Sequence, residues 1–409
     1  MEHGPGLAGT PAPTPVQLAA LRPHVVELQD GKFATTAELN TTPADVDAIF
    51  ATHLPAFVQA RGGGGVPVVF WAHGGLVDER KALAQALHDI PWWLANGIYP
   101  VHFVWHTGFW ETLGELLAQH YAELDAAAPL AGRHRAAVPV VAGTVPAPLP
   151  GPAPAGPGAV SDAADTDVTD GLIEDLLRFI GGPEVWAAMK DSARLASEPG
   201  GGAAYVADAL RAYVAAHPGQ VSVHAAGFSA GANFQRYFVP AVVRDGTAGV
   251  KSCNLLVPAL RTASFKEGLE PLLGTGIQRL ALFGMHQDLA LADNTFGIYH
   301  KSLLYLVRAA LDSTPGTPIL GLQQCINEDP GLAALFKEAP AAGVAEAVWS
   351  VAAGGPLDAR STATTHTAFD NDAPTMDSVA RRILGRDSIV SYGATQHRGV
   401  LRAAAQSAP

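Results

Sequence analysis

Ser229 stands at the centre of the pentapeptide Gly227-Phe228-Ser229-Ala230-Gly231. The segment before it, Val221-Ser222-Val223-His224-Ala225-Ala226, reads as a buried strand. The segment after it, Ala230 to Val239 ahead of Pro240, reads as a helix with Phe234, Tyr237 and Phe238 at helical spacing. A strand, a sharp turn with serine at its apex and a helix make the layout of a nucleophile elbow. In such a turn, side chains two residues before and after the serine would strike backbone. Glycine at both places removes the clash and permits strained dihedrals. The serine oxygen then projects at a helix N-terminus, where negative charge is favoured.

A serine hydroxyl is a weak nucleophile. It needs a base within hydrogen-bond reach, and the base needs an orienting partner. In a parallel sheet such groups belong to loops at the carboxyl ends of strands. The strand expected at Ile277 to Phe283 ends in Gly284-Met285-His286-Gln287-Asp288. Asp288 is the first choice for the orienting acid and Asp293, in the same loop, the second. Either could instead cap the helix that leads to Lys301. The base is assigned to His366, in a loop between the strand Ala345 to Val351 and a closing helix from Ala373 to Leu384. Asp372 and Pro374 mark the start of that helix. His300 and His397 are the reserves. Backbone donors for a developing oxyanion are expected from Ala230 and from Gly75 or Leu76, in His73-Gly74-Gly75-Leu76. The competing reading of this last segment is an ordinary glycine turn. Phe109 and Trp110 follow a strand end, and Phe228 lies in the elbow; the three are candidates for an apolar substrate pocket.

By Gly227 to Gly231, by His73-Gly74-Gly75 and by the chain order Ser229, Asp288, His366, the chain resembles the α/β-hydrolase superfamily. The resemblance covers roughly Val66 to Leu384, less an insertion, and looks closest to esterases and lipases with a short His-Gly-Gly oxyanion motif. Two departures stand out: the long gap between that motif and the serine, and Thr365-His366-Thr367, which lacks the glycine often found beside this histidine. The resemblance implies an acyl-enzyme mechanism carried by Ser229, His366 and Asp288.

The elements that must position these groups alternate along the chain. Residues 1–20 are rich in Pro, Gly and Ala and are expected to be mobile. Residues 21–409 read as a single α/β domain with a mostly parallel sheet flanked by helices. Val25 to Leu28 is expected to open the sheet, and Thr42 to cap a helix from Pro43 to Gln59. Val66 to Trp71 and Tyr99 to Trp105 are apolar runs, as in strands buried on both faces. Between them, Asp78 to Ile90 reads as a helix ending before Pro91. An insertion or lid is expected over 111–198, before the nucleophile strand. It holds a helix from Glu111 to Leu124, a low-complexity linker over 136–168 and helices at Leu172 to Ile180 and Glu184 to Leu195. Ala203 to Ala216 is a helix feeding the nucleophile strand. Gly62 to Gly65 is a flexible loop and no phosphate cradle, because a strand follows and no Gly-Lys-Ser/Thr does.

Composition bounds the partners. The chain has 409 residues, with 48% hydrophobic and 16% charged, as in a globular protein with a large core. The balance of 26 basic against 38 acidic residues, −12 overall, argues against nucleic acid or an anionic membrane surface. No apolar run approaches the length of about 18 residues needed for a membrane span. No basic-then-apolar leader is visible, so a cytoplasmic location is expected. Cys253 and Cys325 read as core thiols. His102 and His106 would lie about 13 Å apart along a strand, too far to share a metal. No metal or cofactor is expected. The function these features imply is hydrolysis of a carboxylic ester, on a small-molecule or lipid-like substrate. The alternatives are thioester or amide hydrolysis, acyl transfer, or a non-catalytic scaffold that binds a ligand or protein.

Overall fold

The computed structural model describes residues 10–75, 77–105, 163–295, 297, 299–336 and 343–394. Eight strands form one sheet: β1 (Val25–Gln29), β2 (Lys32–Phe33), β3 (Val66–Ala72), β4 (Tyr99–Trp105), β5 (Val221–Phe228), β6 (Val250–Leu256), β7 (Ile277–Met285) and β8 (Ala345–Ser350). Their order across the sheet is β2-β1-β4-β3-β5-β6-β7-β8. Only the β1–β2 hairpin is antiparallel; every other pair of neighbours is parallel. Helices flank the sheet, and the central strands are apolar on both faces, as a parallel sheet covered by helices requires. Phe70, Phe103, Phe234 and Phe238 pack in one aromatic cluster between β3, β4 and the helix after the serine.

The strand order has a consequence for function. From β3 the chain moves to one side, to β4; from β5 it moves to the other, to β6. The reversal leaves a crevice beyond the carboxyl ends of β3 and β5, the place where open α/β sheets bind ligands. The loop after β3 holds His73-Gly74-Gly75 and the turn after β5 holds Ser229.

Two helices run further than their prolines imply. One spans Glu79–Ala95 with Pro91 inside it, and the other spans Gly231–Val243 with Pro240 inside it. An interior proline costs about 3 kcal/mol of helix stability. The continuation of the first helix buries Trp92 and Trp93 completely, and that of the second buries Val242. Burying one large apolar side chain contributes about 1.5–3 kcal/mol, so two tryptophans offset the lost hydrogen bond. Within the leader expected to be mobile, Pro15–Leu21 is a helix closed by a Thr14 capping box.

Of the expected insertion, residues 163–198 are described. They form helices Ala163–Phe179 and Gly182–Ser197, the first starting inside the stretch read as a linker. The expected helix from Glu111 to Leu124 and the rest of the linker lie outside the described residues. Asp312, fully buried, holds this region down: it pairs with Arg261 and, at 3.3 Å, with Lys190. Its carboxyl stays below the usual carboxylate range, because the hydrogen bonds and charges of Arg261 and Lys190 outweigh burial, the largest single influence, which acts the other way. Among the described residues no helix is long and apolar enough to cross a membrane.

Candidate active site

The turn after β5 is built by steric necessity. A Cβ on Gly231 would lie 2.1 Å from the Ala72 carbonyl oxygen, and one on Gly227 would lie 2.8 Å from the Gly231 carbonyl carbon. Both neighbours are backbone and cannot swing aside. Neither glycine has a positive φ; the left-handed residue is Ser229 itself, with φ +51°. The glycines therefore allow close approach, and the strain falls on the serine. Tertiary hydrogen bonds hold it there. Ser229 N–H donates to Leu256 O at 2.8 Å, and Ser229 O accepts from Ala259 N–H at 3.0 Å. Gln235 Nε2 donates to Phe70 O at 2.9 Å and Ala226 O at 2.8 Å, joining β3 to β5. Gly231→Ala is expected to lower stability by about 3 kcal/mol or more, read as a lower denaturation midpoint in urea.

Ser229 Oγ lies 2.9 Å from His366 Nε2. The two residues are 137 positions apart in the chain, and each is 2% exposed. His366 opens a short 3-10 turn, His366–Ala368, between β8 and the helix Ala373–Leu384. Its ring lies 5.7 Å from that of Phe228. Burial pushes the imidazole down to about 3, so the ring is neutral at physiological pH and free to accept a proton. For Nε2 to accept from the serine, Nδ1 must carry the ring hydrogen. That nitrogen is buried and has no hydrogen-bond partner among the described residues.

The structure places the two candidate acids differently. Helix Gln287–Ala292 begins directly after β7. Asp288 falls in its first turn, with its side chain 91% exposed and Oδ2 3.9 Å from His286 Nδ1. It complements the helix dipole there and does not reach His366. Asp293, at the other end of the helix, turns inward: its Oδ2 accepts from the His366 backbone N–H at 2.9 Å and its Oδ1 from Asn294 N–H at 2.8 Å. Burial holds its carboxyl above the usual range, against the pull of those two hydrogen bonds. Of the two carboxylates weighed, the fold brings Asp293 to the histidine: five helical steps of about 100° each turn it about 140° around the helix axis from Asp288. His300 is bound elsewhere, with Nδ1 3.1 Å from Asp170 Oδ1. His397 lies outside the described residues.

The glycine loop after β3 touches the elbow. A Cβ on Gly74 would lie 3.3 Å from Ser229 Cβ, and one on Gly75 3.2 Å from Ala230 Cβ. His73 anchors this loop: Trp105 donates its N–H to His73 Nε2 at 3.2 Å and its indole N–H to His73 O at 3.1 Å. Ala230 N–H donates to no group among the described residues and starts the helix Gly231–Val243. Leu76, Phe109, Trp110 and His106 lie outside the described residues. Phe228 is buried against Gly74 and His366. From the insertion, helix Gly182–Ser197 lays Met189 on Gly75, its Sδ 3.0 Å from where a Cβ would be.

Beneath the histidine loop lies a buried cluster that carries no sequence motif. Gln85 Nε2 donates to Asp370 Oδ2 at 2.9 Å, and Tyr392 O–H donates to Asp89 Oδ1 at 2.7 Å. Burial pushes Asp370 up to about 7. The cluster ties the loop carrying His366 to the helix that follows the glycine loop. Elsewhere, Cys253 and Cys325 are free, buried thiols, and burial pushes Cys253 up to about 12. His102 is buried beside Trp71, and burial pushes it down to about 3. Among the described residues no group of three or more His, Cys, Asp or Glu is placed to hold a metal ion.

Comparison with known proteins finds no matching family model, no similar curated protein and no similar solved structure.

Proposed function

We propose that this protein is a serine hydrolase of the α/β-hydrolase type that cleaves carboxylic esters. The observation that carries the reading is the 2.9 Å contact between Ser229 Oγ and His366 Nε2, at the apex of a turn whose serine has φ +51°. In this reading Ser229 Oγ attacks the acyl carbon as Nε2 takes its proton. The carbonyl oxygen becomes an oxyanion stabilised by the Ala230 N–H and by a second backbone donor, expected from Gly75 or Leu76. His366 returns the proton to the departing alcohol, and the acyl–serine ester forms. Water, deprotonated by the same imidazole, then releases the acid and restores the hydroxyl. Asp293 positions His366 and offsets the charge the imidazole gains. The apolar neighbours Phe228 and Met189 favour an apolar acyl group.

The test is covalent. A fluorophosphonate probe is expected to label the wild-type protein once, at Ser229, and to leave Ser229→Ala unlabelled. Equal labelling of both proteins would remove Ser229 from the mechanism.

A pH profile tests the base. An ordinary imidazole with a pKa near 6.5 would be only about 3% unprotonated at pH 5. The His366 imidazole is depressed by burial to about 3, so protonation begins only far below pH 6.5. Hydrolysis of p-nitrophenyl acetate is expected to keep most of its plateau kcat/KM at pH 5. An acid limb centred between pH 6 and 7 would contradict the buried, neutral base.

A second reading has its own support. Ser229 is 2% exposed, so a substrate reaches it only after its cover shifts, and His366 Nδ1 has no acceptor among the described residues. These features favour a non-catalytic binding scaffold. Ester hydrolysis that is absent from wild type, or that survives Ser229→Ala, would select it.

A further inference from the structure

The opposite edge of the sheet holds a cavity of about 510 Å³, at the amino ends of β6 and β7. Lys251, Arg279, Arg381, Arg382 and Arg386 line it, with the carboxylates Asp358 and Asp387. That is an unusual concentration of cations in a chain whose net charge is −12. Arg382 is spoken for: it pairs with Glu346 and donates through Nε to Asp358 O at 2.6 Å. Arg381 donates to the backbone oxygens of Asp387 and Leu357, both at 3.0 Å. Helix ends attract cations, which accounts for Arg381 and Arg382 in the last turn of Ala373–Leu384. It does not account for Arg279 or Lys251, which come from two strands, or for Arg386, beyond the helix cap at Gly385. These three side chains make no hydrogen bond or ion pair with other described residues. With Arg382 balanced by Glu346, the lining keeps a surplus of two positive charges.

The cavity wall also holds neutral donors. Asn254 Nδ2 donates to Ser252 Oγ at 3.2 Å, and His224 Nδ1 lies 2.7 Å from the same oxygen. Ser222 Oγ lies 3.1 Å from His224 Nε2. Burial keeps His224 neutral. If Ser222 donates to Nε2, the ring hydrogen sits on Nδ1 and is given to Ser252. The Ser252 hydroxyl then has its own hydrogen left for the cavity. Asn254 also lines the wall; its Oδ1 is buried, has no partner among the described residues, and is left to accept from a ligand hydroxyl.

We propose that this cavity binds a small phosphate monoester that carries a free hydroxyl. A phosphate monoester has close to two negative charges at pH 7 and three terminal oxygens, which matches the charge surplus and the several separate donors. A single carboxylate has half that charge and occupies one guanidinium fork. The volume admits a molecule of metabolite size. This site is separate from Ser229, and the proposal stands whether or not Ser229 is a catalyst.

The test uses the full chain in a phosphate-free buffer at fixed ionic strength, titrated calorimetrically with glycerol phosphate, inorganic phosphate and citrate. Saturable one-to-one binding of glycerol phosphate is expected, tighter than inorganic phosphate and tighter than citrate. The double variant Arg279→Ala/Arg386→Ala is expected to bind at least about tenfold more weakly, because each lost charge-assisted hydrogen bond contributes on that scale. Both side chains are exposed; should that variant misfold by circular dichroism, Lys251→Ala carries the same expectation. Ser229→Ala is expected to bind as wild type does. Absence of saturable heat, unchanged affinity in the cation variants, or tighter binding of citrate would each overturn the assignment.

Discussion

Ser229→Ala is expected to lower ester turnover by about 10⁵- to 10⁶-fold while leaving the fold intact. The substitution removes only Oγ, and the strained backbone at this position is held by bonds that do not involve the side chain: Leu256 O, Ala259 N–H and the two glycines. A change in thermal midpoint of more than a few degrees would show that the hydroxyl is structural. His366→Ala is expected to cost about as much in turnover, because an unactivated serine is a weak nucleophile at neutral pH. The double variant is expected to be no worse than either single one. Groups that act as one unit give such non-additive losses, whereas independent contributions would multiply. Rate measurements with p-nitrophenyl butyrate decide the matter. A tenfold effect from Ser229→Ala, or a multiplicative double variant, would separate the pair and end the proposal.

Asp293→Asn is expected to lower kcat by about 10³- to 10⁴-fold, while Asp288→Asn leaves it within a factor of two. The contrast follows from position. Asp288 lies in solvent at the start of its helix, where screening leaves it little influence on a buried ring. Asp293 is buried and accepts a hydrogen bond from the backbone of His366. Asparagine can still accept that backbone hydrogen bond, so the loop should keep its place. What asparagine lacks is the negative charge that stabilises the imidazolium formed during acyl transfer. A loss in kcat with KM and thermal midpoint nearly unchanged would therefore report the charge. Retention of full activity in Asp293→Asn would mean that Asp293 holds only the backbone, and that the unpartnered Nδ1 is served otherwise. In the resting structure Nδ1 has no acceptor among the described residues, and catalytic hydrogen bonds often close only when substrate binds.

The glycine-flanked turn of the candidate site was legible in the chain because local chemistry writes it locally. The elbow needs two glycines around its serine for a steric reason that depends on four neighbouring residues. The reading of Gly227 and Gly231 as small by necessity matches the 2.8 Å and 2.1 Å approaches in the structure. Strand ends were readable to within two residues: strands expected to end at Trp71, Ala226 and Phe283 end at Ala72, Phe228 and Met285, and the loops after them face the same end of the sheet. The start of the closing helix Ala373–Leu384 was marked by Asp372 and Pro374, and the structure ends the helix at Gly385 in the left-handed conformation.

Other features had no local signature. The proline at 91 looked like a helix terminus, but burial of two tryptophans is a tertiary contribution that a local rule does not count. The choice between Asp288 and Asp293 depended on how one short helix rotates its two ends, five residues apart. The chain alone determined that a serine would be presented on a glycine-flanked turn between a strand and a helix, because excluded volume acts over a few residues. Only the tertiary structure decided which carboxylate reaches His366, that Val257 takes a φ of +39° beside the elbow, and that five cations from two strands and a helix end line one cavity. Those outcomes arise from packing between segments far apart in the chain, where no single stretch of residues holds the information.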